Sequence, residues 1–163
     1  MEKLPIFKRK QLTMDKASAK LRTVKASAAV RTETVLSELK DVAVLVYMDN
    51  HAIDAGYLNG IKKLTRFKET AIAGWLHISP RTMRSYNSAN KVFDKKLSEQ
   101  VVMLRAVFEK GKAVFSNAAA FDTWLDTINF FFDGKKPITF LDTTSGMRYI
   151  FDRLTAMEYG DNV

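Results

Sequence analysis

The 163-residue sequence has no cysteine, which excludes a disulfide framework, a thiolate metal cage and a cysteine nucleophile. Histidine is nearly as scarce: His51 and His77 are the whole supply of imidazole, and neither has the clustered partners that a metal site needs. Three prolines and seven glycines are too few for many tight hairpins and agree with long helices. The longest apolar run, Val42 to Met48, is seven residues, far short of the roughly 20 that cross a bilayer. Met1 to Pro5 lack the apolar stretch of a signal peptide, so a cytoplasmic protein with no membrane association is expected. Also missing are a Walker-type glycine loop, a dinucleotide fingerprint, an HExxH pair and a triad-like element, which leaves no template for an enzyme and no cofactor site. Asp122 and Asp126, one helical turn apart, read as a solvated face.

What is abundant is positive charge, and it is unevenly spread. The formal net charge of +8 divides into +6 for residues 1–40, −3 for 41–61, +8 for 62–112 and −3 for 113–163. A basic first two-thirds suits an anionic partner such as nucleic acid, and an acidic last third suits a different, basic one. Apolar residues make up 47% of the chain, enough to bury a core.

Residues 16–24 (KASAKLRTV) and 25–33 (KASAAVRTE) are near-copies. Nine residues make about two and a half helical turns, so the copies face opposite ways and build no single apolar stripe. This stretch belongs to a basic, partly helical extension over residues 1–49, which reads either as a plain basic tail or as an arm that touches DNA or a partner. Val42 to Met48 fits a helix or a strand. Beyond Asp54 the spacing is helical almost throughout. Tyr57, Leu58, Ile61 and Leu64 form one face, and Phe67, Ile72, Trp75 and Leu76 the next. Leu97, Val101, Leu104, Phe108, Gly111 and Phe115 step by four and three residues, as one packed face of a long helix. Ser116 or Asn117 can cap a helix holding Phe121, Trp124, Leu125 and Ile128, and Pro137 suits a first helical turn. Asp142 or Thr143 can cap a last helix that turns Met147, Ile150, Phe151, Leu154 and Met157 inward and stops near Gly160. An all-α fold is expected.

Residues 69–86, ETAIAGWLHISPRTMRSY, have the pattern of a helix-turn-helix. Ala73 is small where the two helices would cross, Leu76, Ile78 and Met83 fill the shared core, and Ser79 followed by Pro80 opens the second helix. On that helix Arg81, Arg84, Ser85 and Ser88 share a face, while Met83 and Tyr86 turn away. Arginine can bridge guanine or hold phosphate, and Thr82 and Ser85 can reach bases or backbone. Lys68 and the neighbouring lysines would add a salt-sensitive phosphate contribution. The turn position often filled by glycine is His77, which is tolerated at positive φ less well than glycine and better than a β-branched residue. Both histidines read as structural.

The stretch HISPRTMRSY, the segments VFSNAAAFDTWL and GKKPITFLDT, and the closing GMRYIFDRLTAMEYG together resemble the Xre/MbcA/ParS antitoxins of bacterial toxin-antitoxin pairs, over roughly residues 50–160. The resemblance implies a two-part protein, with a helix-turn-helix DNA-binding domain at 50–96 and a toxin-binding domain with its linking helix at 97–163, and it leaves the extension at 1–49 outside. It implies binding to the operator of its own operon and a cognate toxin, often of the RES type that consumes NAD or uses it to modify a target; a homodimer is expected because two recognition helices about 34 Å apart match successive major grooves. In that family the carboxyl-terminal region covers the toxin's active-site entrance. Carried onto this sequence, Met157, Glu158, Tyr159 and Gly160 become the plug, with Arg148 and Arg153 as contacts on the helix before it. The triplet Phe130 to Phe132 departs from the more polar stretch of the family and fits either extra core or an apolar patch for the partner.

Overall fold

The computed structural model describes residues 41–89 and 91–160. The near-repeat at 16–33 and the rest of the extension up to residue 40 lie outside the described residues. All regular structure among the described residues is helical, with two isolated β-bridges, Asp54 with Val92 and Asn129 with Lys135. In chain order the helices are α1 (Asp41–Asn50), α2 (Ala55–Leu64), α3 (Glu69–Trp75), α4 (Pro80–Ala89), α5 (Lys95–Phe115), α6 (Ala118–Leu125) and α7 (Thr144–Glu158). Two 3-10 turns, Phe130–Phe132 and Pro137–Phe140, connect α6 to α7. None of these helices is long and apolar enough to cross a membrane.

Side-chain caps fix where the helices begin. Asp54 accepts from the Gly56 amide, Asp94 from Leu97, Asn117 from Ala120 and Thr143 from Gly146, each relieving an amide that the first helical turn leaves without a partner. Of the two caps open at each point in the sequence, Asn117 and Thr143 do the capping. Ser116 instead ends α5 at φ 62.

The 21-residue α5 is the axis, and α1, α2, α6 and α7 all pack on it. Leu97, Val101, Leu104, Phe108 and Gly111 are buried along its length, so the four-and-three spacing serves an internal core. Gly111 lets α6 approach: a Cβ there would stand 2.4 Å from the ring of the fully buried Phe121. An aromatic chain runs from Phe67 through Trp75, Phe108, Phe121 and Trp124 to Phe132, with successive centroids 5.4 to 5.9 Å apart. It links α3 to the turn after α6 through α5, so the parts expected at 50–96 and 97–163 share one core.

α1 is helical, and periodicity could not decide it because both sides are apolar. Val44 and Tyr47 are buried, while Val42, Leu45 and Val46 are exposed. Tyr47 donates to or accepts from the Tyr57 hydroxyl at 2.6 Å, and burial, reinforced by that bond, pushes the Tyr57 pKa well above the ordinary tyrosine range. His51 stacks on Tyr47 with centroids 4.1 Å apart and donates through Nδ1 to the Tyr47 carbonyl at 2.9 Å.

Candidate functional site

The helix-turn-helix arrangement is built from α3, a short turn and α4. Ile72, Ala73, Leu76 and Met83 are buried, as the spacing of a shared core requires. α3 closes in a Schellman motif: the His77 amide donates to the Gly74 carbonyl and the Ile78 amide to Ala73, each at 3.0 Å. His77 occupies the left-handed position of that motif, at φ 53. A histidine there bears a backbone cost that glycine would not. Its side chain offsets this by donating from Nε2 to the Asp142 carbonyl at 2.7 Å, tying the turn to the residue just before the Thr143 cap of α7.

His77→Ala is therefore expected to be the less stable of two variants, by about 1 kcal/mol relative to His77→Gly, because both lose the hydrogen bond and only alanine keeps the left-handed cost. Urea midpoints compare them directly, and equal midpoints would contradict the φ assignment.

Ser79 then caps α4, its hydroxyl accepting from the Thr82 amide at 2.9 Å and meeting the Thr82 hydroxyl at 2.7 Å. Met83 faces the core and Tyr86 meets Phe93 edge-on with centroids 4.7 Å apart. Arg81, Thr82, Arg84 and Ser85 are left exposed on successive turns of α4. The Ser88 side chain lies outside the described residues. Lys68 is exposed at the start of α3, one helix away from this set. Among the described residues no carboxylate pairs with Arg81, Arg84 or Lys68.

A second tie joins this arrangement to α6. The Asp122 carboxylate accepts from the Thr65 hydroxyl and from the Arg66 amide, both at 2.8 Å. Asp122 is thus a bracket between α6 and the segment before α3, which corrects the reading of Asp122 as solvated face. Asp126 does stay exposed, in an ion pair with Lys136 at 3.0 Å.

The residues expected as a plug end α7 and follow it. Met157 is half-buried, and Glu158 is drawn back onto α5 by an ion pair with Lys110 at 2.5 Å. Tyr159 caps α7 with its amide and projects its ring at 84% exposure, followed by Gly160 at φ 82. Arg148 is half-buried. Arg153 is buried, its guanidinium 3.5 Å from the centroid of the Phe131 ring.

The phenylalanine triplet divides three ways. Phe132 is in the core, Phe131 lies half-buried beside Arg153, and Phe130 stands 89% exposed. Ile128, two residues earlier, is 68% exposed. From sequence alone Phe130 fits core or surface and Ile128 falls on the α6 helix, whereas α6 ends at Leu125. The signals for the break are Asn129 and the Asp133–Gly134 pair, residue types that favour turns and left-handed backbone.

Comparison with curated proteins finds no match for the chain. Where the sequence resemblance reaches from about residue 50, the family match begins within α5. Residues 110–160, spanning the end of α5, α6, both 3-10 turns and α7, match the family model of the antitoxin Xre/MbcA/ParS C-terminal toxin-binding domain.

Proposed function

We propose that this protein is an antitoxin that neutralises a cognate toxin by direct, stoichiometric binding through its carboxyl-terminal part and represses its own operon through α4. The observation that carries the reading is the match of residues 110–160 to a toxin-binding domain, in a chain whose preceding helices form a helix-turn-helix arrangement with exposed arginines. Binding needs no catalytic group and no cofactor, which agrees with a sequence that lacks the common catalytic motifs. A RES-type, NAD-consuming toxin is the partner that the family resemblance favours. The +8 charge of residues 62–112 favours operator DNA as the second partner, through phosphate contacts from Lys68 and its neighbours and base contacts from Arg81, Thr82, Arg84 and Ser85. A homodimer would set two α4 helices about 34 Å apart, the spacing of successive major grooves. The domain reading follows: residues 50–96 for DNA, 97–163 for the toxin, and the extension at 1–49 as a basic arm up to residue 40 that ends in α1, packed on α5.

Co-expression with the product of the adjacent gene tests the proposal. The expected result is rescue of growth and co-purification of a complex with fixed stoichiometry. No rescue and no complex would leave a DNA-binding regulator without a toxin.

A further inference from the structure

The loop between α6 and the second 3-10 turn holds an aromatic side chain in water with unusual firmness. Phe130 is 89% exposed, yet the backbone around it is closed by five hydrogen bonds. The Asn129 amide donates to the Lys135 carbonyl at 3.1 Å, Phe132 to Asn129 at 3.1 Å, Asp133 to Phe130 at 3.1 Å and Lys135 to Phe132 at 3.0 Å. The Asn129 side chain accepts from the Phe131 amide at 2.9 Å. Asp133 and Gly134 turn the chain at φ 55 and 68. The two neighbours on the C-terminal side are pinned as well. Phe132 is buried against Trp124, and Phe131 is held by the Arg153 guanidinium and by the Tyr149 hydroxyl, which donates to its carbonyl at 2.5 Å. The Phe130 ring meets only its neighbour Phe131 edge-on among the described residues, with centroids 5.8 Å apart, and none of it enters the core. With its backbone already ordered, an outward ring costs binding only its own side-chain freedom, which is how an interface anchor is prepared.

Beside this loop lies a shallow groove of about 490 Å³ between Phe131, Phe140, Thr143, Gly146 and Tyr149. Exposed carboxylates stand at Asp133 in the loop, Asp142 next to Thr143, and Asp152 one turn from Tyr149, against the exposed Lys135 and Lys136 in the loop, of which Lys136 is paired with Asp126. Residues 113–163 carry a net charge of −3. A second copy meeting this surface about a two-fold axis would bring like charges together, which disfavours self-association here. A partner with an apolar pocket ringed by Arg or Lys side chains is the complement.

We infer that Phe130, with Ile128 beside it in sequence, is the anchor that enters an apolar, cation-rimmed pocket of the toxin, and that the Tyr149 groove receives a projection from the same partner. This rests on the antitoxin reading and replaces the Met157 to Gly160 tail as the main energetic contact.

The test uses the full chain and the purified, catalytically inactivated product of the adjacent gene, with affinity measured by calorimetry. Phe130→Ala is expected to weaken binding at least ~30-fold, the loss usual for an aromatic hot spot, and Phe130→Asp further. Both should keep the wild-type unfolding midpoint, since the ring is solvated. Tyr159→Ala should change affinity less than Phe130→Ala. Binding by Phe130→Ala within about threefold of wild type overturns the inference while leaving the antitoxin reading intact. So does a change in the sedimentation of the free protein on Phe130→Ala, which would assign the loop to a second copy. If the wild-type chain fails to bind, the antitoxin reading falls, and this inference with it.

Discussion

Phe121→Ala is expected to lower stability by about 4 kcal/mol, near the middle of the range for truncating a fully buried phenylalanine. The ring has no exposed surface and lies among Phe108, Phe115 and Trp124, with centroids 5.5 to 5.9 Å away. These rings belong to α5 and α6, so they cannot collapse onto the vacancy without moving a helix. Gly111 makes the prediction sharper. By helix propensity alone Gly111→Ala would stabilise α5 by about 1 kcal/mol. Its added Cβ, however, would stand 2.4 to 2.5 Å from three Phe121 ring atoms, a distance that real side chains do not tolerate. The net effect is expected to be a loss of about 2 kcal/mol, within the range for overpacking a core. In the double variant the new methyl enters space that Phe121 has left, so the combined loss should fall short of the sum by at least ~1 kcal/mol. Denaturant titrations of the four proteins close the cycle. A stabilising Gly111→Ala, or strict additivity, would mean that α5 and α6 do not meet through this pair.

The same pair illustrates what the sequence could and could not say. The step of four and three along α5 places Gly111 on the buried face, because helical periodicity is a property of one segment. That its partner is Phe121 is a property of two segments, and no spacing rule supplies it. The caps are legible for the same local reason: Asn117 and Thr143 are short polar side chains just ahead of apolar runs. The left-handed turn at His77 is legible as a condition on the backbone, and the hydrogen bond to Asp142 that secures it is not, since 65 residues separate the two. Asp122 misleads for want of Thr65 and Arg66, and Glu158 looks free in the sequence because Lys110 lies 48 residues earlier. Polar and charged side chains carry no periodic record of their partners. Phe130 to Phe132 are obscure for another reason. In a 3-10 turn consecutive residues point about a third of a turn apart, so three identical side chains meet solvent, a neighbouring cation and the core in succession.

Arg81→Ala combined with Arg84→Ala is expected to reduce operator affinity roughly 1,000-fold, about 4 kcal/mol for two interactions of the kind that arginine makes with guanine or phosphate. The premise is geometric. Both guanidinium groups stand on the exposed face of α4, three residues apart, and among the described residues no carboxylate holds either of them. The helix itself is held by Met83 in the core, by Tyr86 against Phe93 and by the Ser79 cap, so removing the two arginines should leave the unfolding midpoint where it was. Salt then separates their roles. If the arginines neutralise phosphates, the slope of log affinity against log salt should become shallower by about 0.9 for each phosphate that is no longer neutralised. If they read bases, the slope should hold while discrimination between operator and scrambled DNA shrinks. Either pattern keeps α4 in the DNA interface, and only the second makes it the reading helix. Unchanged affinity at every salt concentration would remove α4 from the interface and shift DNA binding to another basic segment of the chain. Toxin binding is the internal control: the double variant should neutralise toxin as well as wild type, because the surface around Phe130 belongs to the loop after α6 and draws on neither arginine.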